Sequence, residues 1–141
     1  MVCEQVAQQV SQRLIARAMS EPTAWLRLQA GRSAFLCECT GPEVQQILLT
    51  DGPAVLGWEV FRELDSRHGL GLLKAGLQAA IEEGAVPPVL PVHTTAHLLV
   101  GALNEASMVI ARAEDPQAAR RDAVQTVGRL LAGLAHTDRA P

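Results

Sequence analysis

A chain of 141 residues, 48% apolar and 19% charged, holds enough hydrophobic sequence for one domain with its own core, which excludes a disordered segment. A formal charge of −3, an aromatic content of 3% and the lack of tyrosine exclude a basic, aromatic-faced grip on DNA or RNA by this chain. The three cysteines, Cys3, Cys37 and Cys39, follow a glutamine-rich start unlike a signal sequence, and this points to a reducing, cytoplasmic setting.

Val6, Val10, Leu14 and Ala18 recur every four residues, so Val2–Met19 is expected to form an amphipathic helix. Ser20-Glu21-Pro22 ends it. Pro22 suits a first helical position, and the second helix is expected to run to about Cys39, with Trp25, Leu28, Phe35, Leu36 and Cys39 as its apolar residues. Thr40-Gly41-Pro42 breaks the chain before a short helix, Glu43–Leu49. Asp51-Gly52-Pro53 reads as a helix-to-helix corner, with Gly52 closing one helix and Pro53 opening the next under an Asp51 cap. Trp58, Phe61 and Leu64 then share a face, with Gly57 as a place of close helix approach. Ser66–Gly69 reads as a further corner, Leu70–Glu83 as a helix closed by Gly84, and Ala85–Val92, with its three prolines, as a stiff extended connection.

His93–Ala113 is apolar on nearly every face, so it is expected to be covered on both sides. Asn104, Glu105 and Ser107 interrupt it, and no membrane span is expected. Asp115 caps a last helix opened by Pro116, whose stripe Val124, Val127, Leu131 and Leu134 has the spacing of a bundle seam. Gly128 and Ala132, four apart, leave room for close helix contact, and the tail from His136 reads as frayed. With no sustained alternation of period two, the fold class is all-α, a helical bundle whose last two helices carry more apolar surface than one small domain covers.

Candidate chemistry is sparse. His93 and His97 stand four apart on one helix face, the zincin spacing, but Thr94 occupies the place of the general base and no third ligand is evident; a packed His97 is the plainer reading, and no metal or cofactor is expected. Cys37 and Cys39 diverge on a helix and read as small core or pocket residues. Gly69–Leu73 lacks dinucleotide spacing, no serine sits in a nucleophile elbow, and the carboxylates are dispersed or placed at helix ends, so no enzyme is expected. Trp25, Phe35, Trp58 and Phe61 fall on buried faces, as core or as walls of an apolar ligand cavity. Asn104 is the best polar group for such a cavity, with His97 and Arg32 behind it, since a buried amide without a partner costs about 1–3 kcal/mol.

The segments Gln45–Gly84 and His93–Leu134, above all DGPAVLGW, AHLLVGALNEA and the AEDPQAA corner, resemble the C-terminal half of bacterial TetR-type (tetracycline-repressor-like) transcriptional regulators, and the resemblance extends over Val2–Leu134. It implies an all-helical homodimer that binds a small molecule and pairs through its last two helices. Residues 1–141 are then expected to be a single effector-binding and dimerisation domain, starting at the long connecting helix, with DNA reached only through an N-terminal helix-turn-helix domain that this chain does not carry. The implied cavity lies among the helices of Trp25–Cys39, Trp58–Phe61 and His97–Asn104. Its candidate ligand contacts are Trp25, Arg32, Phe35, Cys39, Trp58, Phe61, His97, Asn104 and Met108, facing an unidentified, moderately apolar effector. The candidate dimer interface is Val100, Val124, Val127, Gly128, Leu131 and Leu134. A helical small-molecule-binding dimer with no role on DNA is the alternative reading.

Overall fold

The computed structural model describes residues 2–42, 44 and 57–135; for 2–4, 6–8, 10–11 and 57–69 it describes the backbone alone. The expected short helix after Gly41, the Asp51-Gly52-Pro53 corner, the side chains of Trp58, Phe61 and Leu64, and the tail from His136 lie outside the described residues.

Five long helices make up the described fold: α1 (Val2–Met19), α2 (Ala24–Glu38), α3 (Gly57–Glu82), α4 (Val92–Arg112) and α5 (Pro116–Ala135). No strand occurs among the described residues, and the architecture is an all-α bundle. α2 sits at its centre, touching α1, α3, α4 and α5. α2, rather than the more apolar α4, holds that central position within the chain. α4 buries Thr95, Ala96, Leu99, Asn104, Ser107, Ile110 and Ala111 on one side and leaves His93, His97, Leu98, Gly101, Glu105 and Val109 exposed on the other. α2 can be central despite Arg27, Gln29 and Arg32 because long polar side chains place their stems on apolar neighbours and carry their heads to partners.

The helix boundaries follow local chemistry. Pro22 does not open α2. The cap is Thr23, in an extended conformation, whose hydroxyl accepts from the Leu26 amide at 3.2 Å. The first helical amide, Ala24, donates to both carboxylate oxygens of Glu83, at 2.9 and 3.0 Å, from 59 residues away. The expected corner at Ser66–Gly69 is not there: α3 runs unbroken for 26 residues. Gly69 weakens a helix interior by about 1 kcal/mol but keeps its amide, and no proline follows to force a break. α3 ends as expected at Gly84, which has φ +83. The Ala85 amide returns to Ala80 and the Gly84 amide to Ile81, the paired closure that a left-handed glycine permits.

The proline-rich connection is a turn rather than an extended strap, closed by the Leu90 amide on the Pro87 carbonyl at 3.1 Å. Asp115 caps α5 through the Ala118 amide at 3.1 Å, as its place before Pro116 predicts. Side-chain ties fix α1 to α2: Arg13 meets Glu38 through Nε–Oε1 at 2.6 Å and Nη2–Oε2 at 2.9 Å. This pair is largely exposed, and such pairs contribute no more than about 1 kcal/mol.

Two apolar clusters hold the bundle. One joins Ala24, Leu28, Leu77, Ala80, Val86, Ala96, Leu99 and Leu131, with Trp25 and Leu134 packed against it. The other joins Leu36, Cys39, Ile110 and Val127, with Phe35, Leu103 and Val124 alongside.

Candidate functional site

Between the clusters the helices stand apart around a cavity of about 330 Å³. That volume is at the small end of the range of about 300–1,000 Å³ usual for drug-sized ligands. All five helices contribute to its wall: Leu14, Ile15, Ala18 and Met19 from α1; Leu28, Gly31, Arg32 and Phe35 from α2; Leu72, Leu73, Gly76 and Ala79 from α3; Leu99, Val100, Leu103 and Asn104 from α4; Val127 and Leu131 from α5. Ile15, Met19 and Leu72 are exposed as well as lining, which places the mouth between α1 and α3. Small residues make the space: Ala18, Gly31, Ala75 and Ala79 leave room that longer side chains would fill.

Three polar side chains line this wall among the described residues: Arg27, Arg32 and Asn104. Arg27 is held by its Nε donating to the Glu21 carbonyl at 3.0 Å. Asn104 is buried, and its backbone carbonyl also accepts from the Ser107 hydroxyl at 2.6 Å. Arg32 crosses from α2 to α5, where Nη1 donates to the Val124 carbonyl at 2.5 Å. The guanidinium lies over Gly128, so close that a Cβ there would stand 3.2 Å from Nη1. Burial holds the Arg32 pKa below the usual guanidinium value. Its Nε is buried and has no hydrogen-bond partner among the described residues. An unmet donor on a buried cation costs about 1–3 kcal/mol or more.

Of the ligand contacts expected from the sequence, the structure brings Arg32, Phe35 and Asn104 together on this wall. Trp25 instead packs, half-buried, against the cluster around Leu77. Cys39 is buried in the other cluster, beside Leu36 and Ile110, while Cys37 is exposed. Met108 is half-buried and does not line the wall. His97 is exposed, its ring 4.4 Å from that of His93 in an edge-to-face pair. The charge of Lys74, with His97 as a smaller influence, holds the His93 pKa below the ordinary histidine value. No group of three or more metal-ligating side chains occurs among the described residues.

The six residues expected at a dimer interface sit mostly on interior packing. Val100, Val127 and Leu131 line the cavity, Gly128 lies under Arg32, and Val124 and Leu134 pack on the two clusters. The three-four-three spacing marks a buried stripe without naming what buries it, and within this chain α2 and α4 both pack against it. The outward surfaces of α4 and α5 carry other apolar residues: Leu98 is 70% exposed, Val109 54% and Leu130 53%. Sequence reading missed the α1 wall and the second half of α3. The signal was present in Leu72, Leu73, Gly76 and Ala79, one face of a helix at spacings of one, three and three.

Comparison with known proteins agrees with this architecture. The family model described as tetracyclin repressor-like, C-terminal domain matches residues 25–134. The crystal structure of a TetR-family transcriptional regulator from Pectobacterium atrosepticum superposes with a TM-score of 0.82 at 29% identity, covering 96% of this chain and 69% of that one. No curated protein matches the chain. No described helix is long and apolar enough to cross a membrane. A bundle of five described helices with a central α2, and a family match over most of the chain's length, place the chain in the tetracyclin repressor-like C-terminal domain family.

Proposed function

We propose that this chain is the effector-sensing and dimerisation domain of a TetR-type transcriptional regulator, a non-enzymatic domain of the cytoplasm. The observation that carries the reading is the apolar cavity walled by all five helices, with Arg32 and Asn104 as its inner polar groups. A small molecule inside it touches all five described helices at once. It therefore binds one arrangement of the helices better than another and shifts the population toward that arrangement. In this reading DNA is contacted by a separate domain of the regulator. The exposed Leu98, Val109 and Leu130 on α4 and α5 support pairing of two copies through those helices.

The test couples binding to DNA. Apolar compounds that raise the unfolding temperature of the chain are added to the regulator carrying this chain and its DNA-binding domain, bound to operator. The expected result is a change in operator affinity of at least about fivefold. Compounds that stabilise the chain yet leave operator affinity unchanged would overturn the sensing role. Light scattering tests the pairing: a dimer is expected at micromolar concentration, and Leu130→Glu should halve its mass.

A further inference from the structure

We infer that the compound taken by this cavity is an apolar monocarboxylic acid, its carboxylate held by Arg32; the inference rests on the cavity being a ligand site. The ionisable side chains on the wall are Arg27 and Arg32, both cationic, and no carboxylate lines it among the described residues. The remainder of the wall is aliphatic apart from Phe35 and Asn104. A cationic pair in an apolar enclosure favours a ligand with one negative head and an apolar body, and disfavours an amine.

The guanidinium's hydrogen bonds specify the head more closely. Nη1 is committed to the Val124 carbonyl, while Nε has no partner among the described residues. The edge left over is the one formed by Nε and Nη2. That edge carries two parallel N–H groups, the pattern that pairs with the two oxygens of a carboxylate once the side chains closing over Nε give way. The same molecule shows the match at its surface, where Arg13 pairs with Glu38 through Nε and Nη2. An alcohol or a ketone fills only one of the two donors. A ligand carboxylate on Arg32 also sits against the side chain that ties α2 to Val124 of α5, so binding is felt in the last helix.

The experiment is calorimetric titration of the whole chain with straight-chain and aryl-substituted monocarboxylic acids, each beside the alcohol and the amine of the same skeleton. At least one acid should bind about tenfold or more tighter than its alcohol, the measure of a charge-assisted hydrogen bond, with no binding of its amine. In Arg32→Gln the acid should fall to the affinity of the alcohol, while Arg27→Gln keeps the preference. Alcohols that bind as tightly as their acids would overturn the inference and leave the ligand cavity standing. A chain that binds none of the three series would overturn both. The comparison of acid with alcohol on the unaltered chain decides the matter even where Arg32→Gln fails to fold.

Discussion

Around Leu36 and around Gly31, one helix, α2, is packed in opposite ways. At the end of α2, Leu36 is fully buried with Cys39, Ile110 and Val127, and the helices close on one another. Half-way along, at Gly31, a side chain would meet nothing within 4 Å. The difference lies in residue size, not in helix geometry: one end is filled by branched side chains, and the middle is left to glycine and alanine. Closed packing gives stability at one end, and the omission of packing gives room at the other.

Removing a side chain should therefore cost more at the closed end. Leu36→Ala is expected to destabilise the chain by about 4 kcal/mol in urea unfolding, because it opens a new void. Leu103→Ala, beside the existing cavity, should cost about 2 kcal/mol, since that side chain already has open space on one side. Equal losses at the two positions would remove the contrast. Added methyl groups sharpen it. Gly31→Ala should gain about 0.5–1 kcal/mol from helix propensity alone. Gly76→Ala should lose about 1 kcal/mol, because its Cβ would stand 2.7 Å from Cδ2 of Leu28 and force that side chain to move. Glu83→Ala should cost about 0.5–1 kcal/mol by releasing the Ala24 amide to water.

The smallest effect is electrostatic and external to both regions. His93 is exposed and held below the ordinary histidine pKa, first by Lys74. The folded chain thus holds that proton less firmly than the unfolded one. Its contribution to stability is complete above the ordinary histidine pKa, begins to fall as pH drops below about 6.5, and is lost as pH falls through the lower folded value. An NMR titration of the ring should show a higher pKa in Lys74→Met.

The closed end was the more legible from sequence. Periodicity alone identifies Leu36 and Val127 as buried, and elsewhere in the chain cap chemistry identifies Asp115 and Gly84 correctly. The cavity was legible only in part. Arg32, Phe35 and Asn104 stand out as exceptions in their surroundings, but most of the wall consists of alanine, glycine and leucine, which look the same in sequence whether they face a neighbour or a space. His97 and Trp25 were expected there because they are distinctive residues, and distinctiveness carries no direction on a helix. The break expected at Ser66–Gly69 failed for a related reason: helix-compatible residues around one glycine tolerate its cost. Which partner covers Val127 depends on where α2 passes, and that is a long-range property absent from the local pattern.

The tie between Glu83 and the Ala24 amide bears on the order in which the chain acquires structure. Thr23 supplies one local cap, but the first turn of α2 is completed by a carboxylate that is brought into place only when the end of α3 arrives. Closing so long a loop is entropically slow compared with forming a helix from its own residues. The start of the central helix therefore belongs, in folding time, to the helix that follows it. α1 and the later turns of α2 can form as a local hairpin, while the opening turn of α2 remains incomplete until the bundle has assembled around it.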